Sequence, residues 1–178
     1  AGGLLAGAFG GVAWFALRRY TQGEKAEIDD VLWSRSGELS VRRSLGTAII
    51  SEVVIGMGVS LGREAAPKLM GGVSGDLAGR SFGLSAAQQR LLIACGGGAG
   101  LACVYNVPLA GGFFTVEILC GSVSVATILP ALACSGVATV TAWVYLPNRA
   151  TYLDVPSYQL SATLLAWALL AGPLIGFG

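Results

Sequence analysis

Histidine is absent from the 178 residues, and this absence excludes several classes of protein at once. Histidine is the commonest general base and metal ligand near neutral pH, so serine–histidine hydrolases and H-E-x-x-H metalloproteases are ruled out. The four cysteines lie singly inside apolar stretches, without the spacing of a metal site. No Ser/Lys or Asp/Asp pair has the spacing of another hydrolase. We therefore predict that the protein is not an enzyme and has no catalytic residues, no metal and no cofactor.

Charged residues are also scarce. Asp, Glu, Lys and Arg make up 12% of the sequence, whereas about a quarter is usual for a soluble domain. Apolar residues reach 54% and the mean hydropathy is +0.70, which leaves too little polar surface to cover a water-exposed globule. The net charge of +1 offers nucleic acid no basic surface. The composition indicates an integral, multi-pass membrane protein whose surroundings are the lipid bilayer.

Long apolar runs separate the few groups of charges. An α-helix needs about 20 apolar residues to cross the hydrocarbon core of a membrane. Apolar runs that approach or reach this length occupy residues 1–17, 44–61, 91–121 and 123–146, and another begins near Leu160. Asn106 and Pro108 interrupt the third run and are expected to split it into two helices. The pattern predicts an all-α membrane protein, a polytopic helical bundle with broken helices.

Two arginine pairs, Arg18-Arg19 and Arg42-Arg43, flank the polar residues 21–43. Short loops rich in Lys and Arg remain on the cytoplasmic side, so we predict a cytoplasmic position for this segment, in a protein of the cell membrane. Within it, the sequence AEIDDVLW predicts a short amphipathic helix. The chain starts without Met and stops inside the apolar run from Leu164 to Gly178, and we interpret it as a piece of a single transmembrane domain.

Glycines recur at four-residue spacing, a pattern that lets helix backbones approach closely in lipid. The pattern occurs at Gly3, Gly7 and Gly11, at Gly58 and Gly62, at Gly71, Gly75 and Gly79, and at Gly96 and Gly100. We predict that these ridges are helix-packing surfaces.

The segment GREAAP at residues 62–67 is the most informative polar interruption. Proline fits the first turn of a helix, so we predict a helix that starts near Glu64 or Ala65. The first amides of such a helix have no partner within it, and the helix dipole adds partial positive charge, so the helix start can bind an anion. The Glu64 carboxylate can occupy that anion site or leave it, as a gate does. The alternative is that Glu64 only caps the helix and Arg63 only anchors it at the interface.

Two further carboxylates lie inside the apolar runs. Glu52 interrupts the run 44–61, where we expect it to be buried, and Glu117 follows the second helix break at Asn106–Pro108. Ionisable residues in membrane spans are functional candidates by default. Each is therefore a candidate for a role in transport. The alternative for Glu117 is a salt bridge or an interfacial cap.

Several motifs taken in order resemble the CLC family of chloride channels and chloride/proton exchangers. They are GRE at 62–64, GG at 71–72, ACGGGAGLA at 94–102, NVPLAG at 106–111, and Glu117. Their spacing is kept without a gap, and a looser match extends over nearly the whole sequence. The resemblance implies a CLC-type inverted-repeat fold with re-entrant helices. Residues 1–178 would then be the first repeat, incomplete at its start, plus the start of the next helix.

The resemblance also implies partners and site residues. It implies a homodimer, with the interface on residues 109–119 and 123–143, which are nearly uncharged and rich in small residues. Glu64 matches the gating glutamate of the family, and chloride or a similar anion would be the transported ion. The backbone amides that match the outer anion site are those of Gly62, Arg63, Glu64 and Ala65.

Two departures from the family pattern bear on function. Gly23 stands where the family has a serine that coordinates the anion, so the predicted anion site lacks a hydroxyl, and Glu24 and Lys25 add charges beside it. Ile118 stands where the exchangers have an internal proton-transfer glutamate. Because neighbouring residues on an α-helix point about 100° apart, Glu117 would not simply replace that glutamate.

These observations lead to one principal hypothesis and two alternatives. The principal hypothesis is transmembrane anion transport, gated by Glu64 and uncoupled or weakly coupled to protons, because Ile118 cannot carry one. The first alternative is a chloride/proton antiporter in which Glu117 or Glu52 supplies the second acid, so that protons are a further partner. The second is a divergent, non-conducting relative with a structural role, as the missing serine hydroxyl suggests.

Overall fold

Every element in the described part of the chain is a helix, which confirms the all-α fold class. The computed structural model describes residues 2–22, 24, 27–33, 39–59, 62–149 and 161–176. The helices within these residues are α1 (Gly2–Tyr20), α2 (Ile28–Trp33), α3 (Val41–Gly56), α4 (Ala65–Ser81), α5 (Ala86–Tyr105), α6 (Pro108–Phe114), α7 (Val125–Ala142) and α8 (Ala162–Gly176). A π-helical turn, Thr115–Leu119, continues α6.

Serine residues set the beginnings of three helices. The Ser40 hydroxyl accepts a hydrogen bond from a first-turn amide at 3.2 Å and starts α3. Ser85 starts α5 and Ser124 starts α7, each with a capping box. In these boxes the backbone amide of the serine donates a hydrogen bond to the side chain three residues later, that of Gln88 in α5 and of Thr127 in α7. Such caps satisfy amides that have no partner within the helix. Local sequence therefore fixes these three starts.

The third apolar run forms two helices, as predicted. Asn106 ends α5 in a left-handed conformation with φ 56°, which asparagine adopts more readily than most residues. Pro108 then opens α6, at a position where the missing N–H leaves no helical hydrogen bond unmade. The break is thus encoded by two residues that each suit their backbone position.

The contact between α4 and α5 is the most extensive in the fold, and glycines make it possible. A Cβ on Gly71 would overlap the carbonyl oxygen of Gly96, and a Cβ on Gly100 would overlap that of Pro67. The two backbones are therefore in direct contact, as in small-residue packing in membranes. The predicted ridges on α4 and α5 are confirmed.

The predicted ridge on α1 does not pack against any other described residue. Cβ atoms on its three members would meet nothing within 4 Å; these are Gly3, Gly7 and Gly11. Gly10 instead approaches α3, where a Cβ would lie 2.8 Å from a methyl group of Val54. A four-residue repeat of glycine thus predicts a possible packing face without identifying which face is used.

The predicted short helix is α2, and it docks on the α4–α5 crossing through Ile28. Ile28 is fully buried, and its side chain fills the room that Gly72 and Gly97 leave by lacking a Cβ. A Cβ on either glycine would be in tight contact with the Ile28 side chain. The position of α2, and of Asp29 beside Ile28, is therefore set by the crossing.

A buried ionic network closes the C-terminal part of α4. Asp76 is fully buried, and its carboxylate accepts hydrogen bonds from Arg80 at 2.6 Å and from the Gln89 side chain at 2.5 Å. Arg80 also donates to the carbonyl oxygen of Leu39 at 3.2 Å. A buried carboxylate needs partners of this kind. The network holds α4 against α5 and against the segment that leads into α3.

Among the described helices, α7 is the one whose length and composition suit a membrane crossing. The apolar stretches Pro108–Leu119 and Ala162–Pro173 are shorter. The predicted runs 1–17 and 44–61 form α1 and α3, and α3 begins and ends earlier than the apolar run does. The described bundle thus combines one helix that is both long and apolar enough for a crossing with helices that are shorter, such as α6 and α8, or less apolar, such as α1 and α5.

Candidate functional site

The helical structure is interrupted between α3 and α4, at the GREAAP motif of residues 62–67. Gly58 follows the end of α3 with a positive φ of 92°, and α4 begins at Ala65, as predicted. The Lys68 amide donates the first hydrogen bond of α4, to the carbonyl oxygen of Glu64 at 3.2 Å. Amides that precede this bond have no partner within the helix, and Pro67 has no N–H. The start of α4 therefore keeps donors for an anion.

The carboxylate of Glu64 folds back over the backbone of Gly62. A Cβ on Gly62 would overlap the carboxylate, so only glycine leaves room for this conformation. Within the described residues the Glu64 side chain makes no capping hydrogen bond, which does not support the capping alternative. The carboxylate instead accepts a hydrogen bond from the Tyr105 hydroxyl at 3.3 Å. Because Glu64 is exposed, its side chain has room to rotate away from the break.

Glu64 faces a cavity of about 460 Å³ that lies between α1, α2, α3 and the start of α4. Charged side chains contributed by all four regions line it: Arg18, Glu27, Arg43, Glu64 and Lys68. Three of these are cations and two are carboxylates, so cations outnumber carboxylates among the lining residues. One of the cations, Lys68, is paired at 3.2 Å with Asp29, which does not line the cavity.

Arg43 connects the wall of this cavity to the turn after α1. Its guanidinium donates hydrogen bonds to the carbonyl oxygens of Thr21 at 3.1 Å and Glu24 at 2.5 Å. The Glu24 carboxylate accepts a hydrogen bond from the Ser40 hydroxyl. These bonds hold the turn against the start of α3 and fix the place of the Arg43 charge.

Three of the predicted anion-site residues line the cavity, namely Gly62, Glu64 and Ala65. The side chain of Arg63 takes another direction. Its guanidinium carbon lies 5.3 Å from the centroid of the Tyr105 ring, and Arg63 lines a second cavity of about 220 Å³. Gly23, the remaining predicted member, lies outside the described residues.

The two candidates for a proton route lie away from the cavity. Glu52 is exposed, so the expectation that it is buried is wrong. Ser51 lines the cavity in its place, because adjacent residues on a helix face different sides. Glu117 and Ile118 are both exposed and belong to the π-helical turn. Since that turn is wider than an α-helical one, the angle of about 100° between α-helical neighbours does not apply there.

The second break, between α5 and α6, is closed by side-chain hydrogen bonds. The Asn106 side chain donates to the carbonyl oxygen of Arg149 at 3.2 Å and accepts from the indole N–H of Trp143 at 2.9 Å. Both partners follow α7. The smaller cavity beside this break is lined by Arg63 and Arg149, and the described residues around it include no carboxylate.

Sequence reasoning missed five residues around Glu64: Arg18, Glu27, Arg43, Lys68 and Tyr105. Lys68 could have been found, because it follows Glu64 by four residues and this spacing places two residues on one helix face. The others come from distant parts of the chain. Their approach to Glu64 depends on helix packing, for which the sequence carries no local signal.

The sequence matches a known family and several of its members. The model of the family described as "Voltage gated chloride channel" matches residues 5–178. A ClcB-like chloride channel protein of Ralstonia nicotianae is 31% identical over 186 residues, which cover 98% of this chain and 43% of that protein. The voltage-gated ClC-type chloride channel ClcB of Yersinia pseudotuberculosis is 29% identical over 181 residues, with 96% and 44% covered. The chain spans less than half the length of these relatives, and no solved structure matches it.

Proposed function

The chain belongs to the voltage-gated chloride channel family, and from this premise we propose that it transports chloride or a similar anion. In this proposal it forms part of a multi-pass membrane protein and is not an enzyme. The observation that carries the proposal is the position of the Glu64 carboxylate. It lies over Gly62 at the start of α4, and it faces a cavity in which cations outnumber carboxylates.

Glu64 is the gate in this proposal. A carboxylate and a chloride ion carry the same charge, so they compete for the amides and the positive end of α4. Protonation removes the charge of the carboxylate and with it the attraction to the helix start. The side chain then leaves the site to the anion, and flux increases as the pH falls.

Chloride efflux from vesicles that contain the full-length protein tests both statements. Wild-type protein should release chloride at a pH-dependent rate when a potassium ionophore prevents charge build-up. Glu64→Gln and Glu64→Ala should weaken the pH dependence, because neither side chain can change its charge. Efflux equal to that of protein-free vesicles would overturn the transport proposal and favour a non-conducting relative. A wild-type pH profile in both variants would overturn the gate alone.

Anion movement is uncoupled or weakly coupled to protons in this proposal. Ile118 has no titratable atom, and neither Glu52 nor Glu117 lines the cavity of Glu64. One observation favours proton-coupled exchange as a second candidate: Glu27 is another carboxylate on that cavity. A chloride gradient across sealed vesicles at zero voltage separates the two. Uphill proton movement in a fixed ratio would refute the uncoupled mode, and its loss on replacing one acid by Gln would identify the acid used.

A second copy of the chain is the partner that we propose for α6 and α7. The exposed large apolar side chains of α6 and α7 are 51–72% exposed, and they are Leu109, Phe113, Val125, Leu129, Val137 and Val140. Apolar surface of this extent marks an interaction surface with lipid or protein. Replacing Leu129 and Val137 together by Trp should yield monomers in cross-linking of the membrane-embedded protein. Dimers in wild-type yield would contradict this interface.

A further inference from the structure

Lys68 places a positive charge near the start of α4, where the helix dipole is already positive. It follows Glu64 by four residues, so the two share a helix face. Side chains on a helix lean toward its N-terminus, which carries the Lys68 stem back toward the break. A cation at this end of a helix is electrostatically unfavourable. Its presence there calls for negative charge nearby.

The Lys68 side chain is held from two sides. Its Cγ lies 3.5 Å from the point that a Cβ on Gly97 would occupy, so the alkyl stem packs on the backbone of α5. Its ammonium donates a hydrogen bond to the Asp29 carboxylate at 3.2 Å. Asp29 belongs to α2. The neighbouring residue, Ile28, is fully buried and packs α2 against the α4–α5 crossing. Both ends of the lysine are thus positioned by the packed helices.

Lys68 belongs both to the ion pair with Asp29 and to the lining of the cavity. Lys68 lines the cavity and Asp29 does not. The two side chains are 25% and 44% exposed, so the pair is neither fully buried nor fully solvated. An ammonium carries three donors, and the bond to Asp29 uses one. Lys68 can therefore donate to a species in the cavity while it stays paired.

We propose that Lys68 is a side-chain ligand of the transported anion, and that Asp29 tunes its strength by competing with the anion for the ammonium. The inference rests on the proposed function, because it takes the cavity beside Glu64 as part of the anion route. An anion at this point offsets two positive charges at once, that of the ammonium and that of the helix start.

The two residues should change anion affinity in opposite directions. Lys68→Gln removes the charge, and the chloride concentration for half-maximal flux should rise roughly tenfold, as expected for one charge acting across a partly screened cavity. Asp29→Asn removes the competitor, and that concentration should fall by roughly threefold, the scale of an exposed ion pair. Lys68→Arg keeps the charge and should stay close to wild type.

Flux should be measured on vesicles that contain the full-length protein, and chloride binding by calorimetry on the detergent-solubilised protein. Arg90→Gln is the matched control, because it removes one positive charge from α5 at a residue that does not line the cavity. It should change neither quantity. Wild-type protein without flux would contradict the proposed function, and calorimetry would then still decide the role of Lys68.

Two results would overturn the proposal. The first is wild-type chloride affinity in Lys68→Gln. The second is a loss of affinity in Lys68→Arg as large as that in Lys68→Gln, because it would assign the effect to packing of the lysine stem. If Lys68→Gln fails to fold, Asp29→Asn decides, since removal of a competitor raises affinity and a structural defect lowers it.

Discussion

The two helix breaks of this chain have related sequences but different surroundings. Each has a proline near the start of the next helix, Pro67 in α4 and Pro108 in α6. At the first break the Glu64 carboxylate lies over Gly62 and faces a cavity of about 460 Å³. At the second break the neutral side chain of Asn106 is hydrogen-bonded to residues that follow α7.

This difference teaches that an open helix start is not in itself an anion site. α4 has 17 residues and α6 has 7, so both can orient their first amides. Charged side chains from four regions surround the first break, and one of them is a carboxylate that can rotate. The second break has two arginines beside a cavity of about 220 Å³ and no carboxylate among the lining residues. In the proposed function, the exposed carboxylate of Glu64 rather than the break itself distinguishes the gate.

Gly71→Ala should have the largest effect, because it disturbs both breaks at once. α4 begins at the first break and α5 ends at the second, and a Cβ on Gly71 would overlap the backbone of Gly96. A backbone atom cannot move aside as a side chain can. The free energy of unfolding should fall by the upper end of the roughly 1–3 kcal/mol that overpacking costs, seen as a lower thermal midpoint in detergent.

The control for that change is Gly7→Ala, since a Cβ on Gly7 would meet nothing within 4 Å. This variant should unfold at the wild-type temperature. A stable Gly71→Ala protein with wild-type flux would show that the α4–α5 crossing does not set the geometry of the breaks.

Local rules were sufficient to predict both breaks from the sequence. The start of α4 at Ala65, the end of α5 and the glycine contact between the two helices follow from proline, asparagine and glycine, which act on their own backbone. The charged cavity could not be predicted in the same way. Arg18, Arg43 and Lys68 lie in three helices, and only the packing of those helices brings them together.

Glu52 illustrates a second limit of the sequence. Apolar neighbours on both sides suggested burial, but an apolar run without a clear period does not indicate which face of a helix points inward. The structure turns Ser51 to the cavity and leaves Glu52 exposed. The π-helical turn that contains Glu117 is a similar case, because no feature of the sequence distinguished it from an α-helix.

Gly62→Ala should have the next largest effect, and it acts on the first break alone. Its Cβ would overlap the end of the Glu64 side chain, which is flexible and exposed. The carboxylate should therefore move aside at little cost in stability, and flux at neutral pH should rise toward that of Glu64→Gln. The measurements are the pH profile of chloride efflux and the thermal midpoint. Gly56→Ala, where a Cβ meets nothing within 4 Å, is the control. A wild-type pH profile in Gly62→Ala would show that the carboxylate does not need its place over residue 62.

Asn106→Gly should weaken the second break and leave the gate unchanged. Glycine adopts the left-handed conformation of Asn106, φ 56°, without strain, so the change removes the three side-chain hydrogen bonds of Asn106, the third of which is a long one of 3.5 Å to the Asn148 side chain. Net hydrogen-bond contributions are about 0.5–1.5 kcal/mol each, and all three bonds are exposed. We expect a loss of about 1 kcal/mol in denaturant unfolding. A change in the pH profile of flux would mean that the second break takes part in gating.

Tyr105→Phe should have the smallest effect, and it tests a contact that joins the two breaks. Tyr105 ends α5, and its hydroxyl donates to the Glu64 carboxylate at 3.3 Å. Because this bond is long and exposed, it stabilises the resting position of the carboxylate by only a few tenths of a kcal/mol. Its removal should therefore increase flux at neutral pH roughly twofold. Phenylalanine keeps the ring beneath the Arg63 guanidinium, so the variant removes the hydroxyl alone. In a Glu64→Ala background the same change should have no effect on efflux, since no side-chain oxygen remains at residue 64 to accept the bond. An equal rise in both backgrounds would mean that Tyr105 acts on flux without Glu64, and the packing of α5 would then be what links the second break to the first.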